Sequence, residues 1–350
     1  MTKRFLIVGH GLAGSTLAWQ LHHRNETFDI IDNTDLPGSS RVAGGMINPV
    51  TGKHLAKTWL VDELFETLDH FFKEIEEKLA AQFLTYTPLY RPFKNENQKS
   101  QFIGAIEKHA LEKWVSAVDT PLLKAPFLED SLGGIWTKKA GRLDVAHFLS
   151  KSADFHKSNE NYAKGIFDFD ALQLKDDKVL YKDKTYEKVV YCEGFYVKNN
   201  PYFNWLPMNP VKGETLDVEV AHTPEMIINQ GKWLMPLSHN HLKIGATYSW
   251  HDLDFKPTAD GERILTEGLE GLYSGEYKIV EHKAGVRPST KDRRPILGKH
   301  PKEDRLFVFN GLGTKGVSLA PYFSKQMAEH LIEGKEIDSL ATIERHYPLY

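Results

Sequence analysis

The sequence has a single cysteine, Cys192, among 350 residues, so no disulfide can close within the chain, and a reducing, cytoplasmic setting is expected. An excess of either charge is also missing. Against 44 Lys and Arg stand 47 Asp and Glu, interspersed, for a net charge of -3. That balance supplies no chain-wide basic field, so no nucleic-acid partner is expected. No apolar run approaches the roughly 20 residues that cross a bilayer. Lys3-Arg4 followed by Phe5 to Val8 has the outline of a secretion signal, but glycines and His10 interrupt it, and the segment is expected to stay as mature structure. No fixed-period repeat or low-complexity tract occurs. The histidines are scattered without metal-ligand spacing, so no metal is expected.

What is present starts at Phe5. The apolar run Phe5-Leu6-Ile7-Val8 enters Gly9-His10-Gly11-Leu12-Ala13-Gly14, and Ser15 to Leu21 follows with helical spacing. Phe28-Asp29-Ile30-Ile31 is a second strand, closed by Asp32. Strand, glycine turn, helix, strand and acid together read as a dinucleotide-binding unit, the alternative being an ordinary βα turn with no ligand. Gly9 makes the turn, Gly11 admits a pyrophosphate, and Gly14 lets helix and strand pack closely. The helix N-terminus offers N–H groups to phosphate, and Asp32 accepts from a ribose hydroxyl. At this length two domains are the better expectation.

Further along, residues 38–52 are dense in small side chains around Arg41, which suits a loop folded over a ligand, with Ser39, Ser40 and Arg41 near phosphate or ribose oxygens. The alternative is a flexible loop. Residues 60–79 carry an apolar stripe at helical spacing and read as a core helix. Pro88 and Pro92 suit an edge strand over 84–93, residues 95–114 read as a helix, and 122–136 as loop with short extended pieces. Asp144 is the expected N-cap of the next helix. Short strands are expected at 167–174, 179–181 and 188–191, the last leading to Cys192-Glu193-Gly194, where Gly194 either passes a ligand or only turns the chain. Period-two stretches at 211–219, 233–236 and 242–248 read as antiparallel strands of a second sheet, followed by a helix over 261–273 and a strand over 277–284. Leu306 to Phe309, Asn310-Gly311-Leu312-Gly313-Thr314-Lys315-Gly316 and a helix over 317–332 repeat the strand, glycine turn and helix of the start. Two such units at opposite ends imply that the termini pack together around an inserted middle.

In this order and spacing five pieces resemble the FAD-dependent oxidoreductases of the D-amino-acid oxidase, glycine oxidase and sarcosine oxidase superfamily over nearly the whole chain. They are Gly9 to Gly14 with Asp32; Ser39 to Met46; Tyr191 to Gly194; Lys243 to Tyr248; and Ala284-Gly285-Val286-Arg287-Pro288 leading through Arg294 to Gly298 and Gly311 to Pro321. The resemblance implies a mixed α/β fold. Its Rossmann-like FAD-binding domain would be built from 1–85, 141–205 and 286–350, and its substrate domain, with a mostly antiparallel sheet, from 86–140 and 206–285. It implies FAD contacts from Gly9, Gly11, Leu12, Ala13, Gly14, Asp32, Ser40, Arg41, Ala43, Gly44, Gly45, Met46, Gly194, Gly311, Gly313, Thr314, Lys315 and Gly316. Asp32 departs from the family's usual glutamate, but either carboxylate can accept from a ribose.

By the same resemblance Arg287 pairs with the carboxylate of an amino-acid substrate; the alternative is a structural salt bridge. Tyr248 lines that pocket or is a buried aromatic with its hydroxyl satisfied. Lys315 adds positive charge by the flavin or faces oxygen, or it is a solvated loop lysine. The implied activity is oxidation of a C–N bond in a small amine or amino acid, with hydride transfer from the α-carbon to flavin N5. A cysteinyl flavin link is not expected, while His54 stays open as an attachment point. Two other readings are a flavin domain acting on a modified tRNA base, and a non-catalytic flavoprotein, against which a carboxylate clamp beside a flavin argues.

Overall fold

The computed structural model describes residues 2–52, 54–122, 127–128 and 130–350, with Thr2 described by its backbone alone. The expected irregular stretch 122–136 falls partly outside these residues, at 123–126 and 129.

Strands Tyr162–Lys164, Phe28–Asp32, Thr2–Val8, Lys184–Tyr191 and Leu306–Asn310 lie side by side in that order, all parallel. Phe5 to Val8, Val189 to Tyr191 and Leu306 to Phe309 are buried throughout, which is why they read as unbroken apolar runs rather than alternating ones. Ile296–Lys299 adds an antiparallel edge, and a hairpin of Leu172–Lys175 and Lys178–Tyr181 pairs with the first half of Lys184–Tyr191. The register sets Ile31, Val8, Tyr191 and Val308 level with one another. Asp32, Gly9, Cys192 and Phe309, one residue further on, therefore lie level at one carboxyl edge, where open α/β sheets bind ligands.

Helix Leu12–His23 rests on this sheet and against helix Gly316–Glu333. A methyl group at Gly14 would overlap the carbonyl oxygen of Gly9, so only glycine permits this approach. Gly9 itself has φ of 97°, a conformation that disfavours any side chain. Helix Val61–Leu79 buries Leu64, Phe65, Leu68, Phe72 and Ile75 against the same helical layer. Each such side chain contributes roughly 1.5–3 kcal/mol. Asp144 caps its helix as expected, accepting from the backbone N–H of His147 at 3.1 Å.

A second eight-stranded sheet runs Tyr277–Arg287, Val211–Val220, His241–Gly245, Lys232–Ser238, Ile227–Gln230, Leu89–Pro92, Gly134–Thr137 and Val115–Val118. Every pairing but that of Ile227–Gln230 with Leu89–Pro92 is antiparallel. Helix Ala259–Glu270 packs Leu265 and Leu269 onto it.

Three local expectations change. The edge strand over 84–93 is two strands in different sheets: Leu84–Tyr86 pairs with Gly141–Leu143, while Leu89–Pro92 lies inside the large sheet. Pro88 sits in the break, its carbonyl accepting from Ile227, and Pro92 ends the second strand, so neither proline interrupts a ladder. Within 38–52, Ser39–Val42 forms a short helix, and Met46–Ile47 and Val50–Thr51 form strands. Of 167–174 only Leu172 onward is strand, because Asp168 caps a tight helical turn at Phe169–Ala171.

Candidate functional site

A cavity of about 1450 Å³ lies along the carboxyl edge of the first sheet and is walled on its other side by the second. Helices Leu12–His23 and Gly316–Glu333 both begin on its wall, neither with a side-chain cap nor with an acid in its first turn. The helices at Glu96, Val145 and Ala259 carry such caps, and Val61–Leu79 has Asp62 and Glu63 in its first turn. Two positive dipole ends thus face the cavity, the first met by the Ser40 hydroxyl, which accepts from the Leu12 N–H at 3.2 Å, and each is suited to anionic atoms of a ligand. Gly9, Gly11, Leu12, Ala13, Asp32, Ser40, Arg41, Ala43, Gly44, Gly45, Met46, Gly194, Gly311, Gly313, Thr314, Lys315 and Gly316 all line it. Gly14 does not: its place is the helix-to-turn contact, the close packing expected of the third glycine of the turn.

At one end Asp32 accepts from the backbone N–H of His10 at 2.9 Å, from Arg41 at 2.9 Å and from the Tyr162 hydroxyl at 3.2 Å. Arg41 also donates to the carbonyls of Thr34 and Leu36, so it clasps its own loop to the acid. Nothing in the sequence pattern singled out Tyr162, since its strand is short and half-exposed. The His10 ring is buried with Nε2 unpartnered among the described residues, and burial pushes its pKa down to about 3. Nearby Glu193 is held by Asn200 at 2.7 Å, and burial pushes its carboxyl up to about 7. Cys192 is buried beside Gly9 and Gly14, and burial raises its thiol pKa well above the usual range. His54 is exposed and off the cavity wall.

Toward the second sheet, Arg287 ends the Tyr277–Arg287 strand with its guanidinium lying on the backbone of Gly213, which faces Gly285 in the ladder. Any Cβ at Gly213 would occupy the same space. Arg287 donates weakly to the carbonyl of Thr247 at 3.4 Å and stands 4.8 Å from the Tyr248 ring centre. Among the described residues no carboxylate lies within ion-pair reach of it, and burial lowers its pKa without removing its charge. Tyr248 is 57% exposed, not a buried aromatic. Trp233, which sequence reasoning passed over, is wedged between Gly44 and Gly245, tying the 38–52 segment to the second sheet. A glycine inside the Val211–Val220 strand was the available signal for close approach at Gly213.

Lys315 donates to the hydroxyls of Thr51 at 3.2 Å and Thr58 at 3.1 Å. Burial and the charges of Arg294 and Arg293 lower its pKa, and no acid pairs with it among the described residues. It is a wall residue, not a solvated loop lysine. Arg294 stacks on Trp59 at 4.1 Å beside it. No group of three or more His, Cys, Asp or Glu among the described residues is arranged to hold a metal, and no helix there is long and apolar enough to cross a membrane.

Residues 4–330 match the FAD dependent oxidoreductase (DAO) family. Glycine oxidase of Bacillus subtilis (strain 168) is 30% identical over 95% of this chain and 94% of its own. A tRNA 5-methylaminomethyl-2-thiouridine biosynthesis bifunctional protein of Leptospira interrogans is 22% identical over 98% of this chain, which spans only 59% of that longer protein. The fold is that of the glycine oxidase of Bacillus cereus ATCC 14579, with a TM-score of 0.80 at 19% identity and 96% of each chain covered. The uncapped helix ends, the level strand edge and the large cavity suit such a dinucleotide, and the chain belongs to the DAO family of FAD-dependent oxidoreductases.

Proposed function

We propose that this oxidoreductase acts on a C–N bond of a small amine or amino acid whose carboxylate is held by Arg287. The observation that carries the reading is a cationic fork on the cavity wall without an acidic partner among the described residues. A guanidinium can meet both oxygens of a carboxylate, which fixes the α-carbon relative to the cofactor. FAD, when bound, supplies the two-electron acceptor for the α-hydride.

In this proposal Gly9, Gly11, Leu12 and Ala13 hold the pyrophosphate at a helix N-terminus, and Asp32 meets the adenosine ribose, its carboxylate already steadied by His10, Arg41 and Tyr162. Ser40, Arg41, Ala43, Gly44, Gly45 and Met46 would follow the cofactor toward its ring, and Gly194 would let its adenosine end pass the strand edge. Gly311, Gly313, Thr314, Lys315 and Gly316 flank the ring, where the Lys315 charge and the second helix end favour electron density. The working division is an FAD domain of 1–85, 141–205 and 286–350 and a substrate domain of 86–140 and 206–285. A cytoplasmic setting accords with the lone cysteine.

A second reading, oxidation of an amine on a modified tRNA base, is supported by the likeness to the Leptospira protein along 98% of this chain. Anaerobic addition of glycine, sarcosine, proline and D-amino acids to FAD-loaded protein separates the two. Bleaching by a carboxylate amine, lost in Arg287→Ala with FAD retained, is the expected result. Equal turnover by that variant, or bleaching by RNA alone, overturns the first reading.

A further inference from the structure

Two large aromatic rings stand at the cavity wall, open to solvent. Tyr248 is 57% exposed and Trp250 is 55% exposed, and their rings stack with centres 6.5 Å apart and planes 29° apart. Leaving two such surfaces wet forgoes the gain their burial would bring. They are nevertheless held in place. Between them Ser249 donates its backbone N–H to the Lys212 carbonyl at 3.0 Å and accepts the Lys212 N–H at 2.8 Å. The buried Lys212 side chain reaches Asp254 at 2.5 Å, and Glu214, two residues on, accepts from the backbone and hydroxyl of Thr258, each at 2.9 Å. The segment bearing Trp250 is thus pinned at both ends to the strand that carries Gly213.

Tyr248 is also the ring beside Arg287, at 4.8 Å. A cation without an acidic partner among the described residues, a tyrosine ring and a tryptophan ring therefore follow one another along the cavity wall. That order suits a ligand with a carboxylate at one end and a flat ring at the other. We propose that Tyr248 and Trp250 form a stacking subsite, so that the preferred substrate is a carboxylate-bearing amine with a planar ring within a few bonds of the carboxylate. This deepens the proposed function and rests on its reading of Arg287.

The test is made on the FAD-loaded full chain. Titrations with acetate and with phenylacetate, followed by the shift in the bound-FAD absorption band, yield two Kd values. Phenylacetate is expected to bind on the order of tenfold tighter, the ratio that about 1.4 kcal/mol of stacking produces. Trp250→Ala brings the ratio to within about twofold of unity, and Trp250→Phe restores most of it, with FAD content reporting that each variant is folded. Equal affinities in the native chain, or an unchanged ratio in Trp250→Ala, overturn the subsite while leaving the Arg287 reading standing. Binding of neither carboxylate overturns both.

The source of the ring is then read from turnover relative to glycine. Phenylalanine and tryptophan of either hand carry the ring on the α-carbon, and N-benzylglycine carries it on nitrogen. A higher kcat/KM for one arm identifies the class. No gain over glycine in any arm overturns the substrate preference.

Discussion

The guanidinium of Arg287 occupies the space that a side chain at Gly213 would fill. The glycine is a recess in one strand for the arginine of the next, paired across the ladder through Gly285. Gly213→Ala would drive the guanidinium off the sheet, at small cost to the fold because the displaced group is the free end of a flexible side chain. We expect kcat/KM for carboxylate amines to fall by at least about tenfold, with Tm within a few degrees of the native value. Steady-state kinetics beside a thermal melt checks this, and unchanged kinetics would show that Arg287 works equally well elsewhere.

Arg287→Lys keeps the charge and loses the fork. A lysine ammonium meets carboxylate as a point charge, without the two parallel bonds that set its orientation. KM for a carboxylate amine should rise by about tenfold or more, and kcat should fall as well, because the α-carbon is less well positioned. Retention of both constants would mean that charge alone holds the substrate.

Much of this was legible in the sequence, and for definite reasons. Phe5 to Asp32 announced itself because strand, glycine turn, helix and acid are all local, and helix Val61–Leu79 because its apolar stripe is periodic. The two strands hidden in 84–93 were not separable, since which sheet each joins depends on partners at 141–143 and 227–228. Trp233 and Tyr162 stayed silent for the same reason, since each acts through a contact with a residue distant in sequence, and Gly213 offered only the signal of a glycine inside a strand. Arg287 was visible as a residue, but that no acid pairs with it among the described residues was not, since that is a property of its surroundings.

Gly11 and Gly14 belong to one motif and should fail differently. A methyl group at Gly11 would lie 3.2 Å from the Ser40 hydroxyl on the cavity wall, a contact that a small side chain can relieve. At Gly14 it would overlap the backbone of Gly9, which cannot move without opening the turn. Gly11→Ala should therefore keep its fold and lose FAD affinity by about tenfold, whereas Gly14→Ala should lose roughly 2 kcal/mol or more of stability. FAD titration and denaturant unfolding of the FAD-free chains distinguish them. Equal loss of stability in both would contradict the separate roles.

Glu193 makes stability depend on pH in a stated direction. Burial raises its pKa from 4.5 to about 7, so between those values the folded chain holds a proton that the unfolded chain has released. Its stabilising contribution is complete below about 4.5 and is lost as pH rises through about 7. Glu193→Gln removes the titrating carboxyl and keeps an oxygen that can accept from Asn200. Above pH 7 the variant should exceed the native chain by on the order of 2–3 kcal/mol relative to their difference at pH 4.5. Urea unfolding of both FAD-free chains across this range measures that gap, and a gap that stays constant with pH would mean that Glu193 ionises freely in the folded protein.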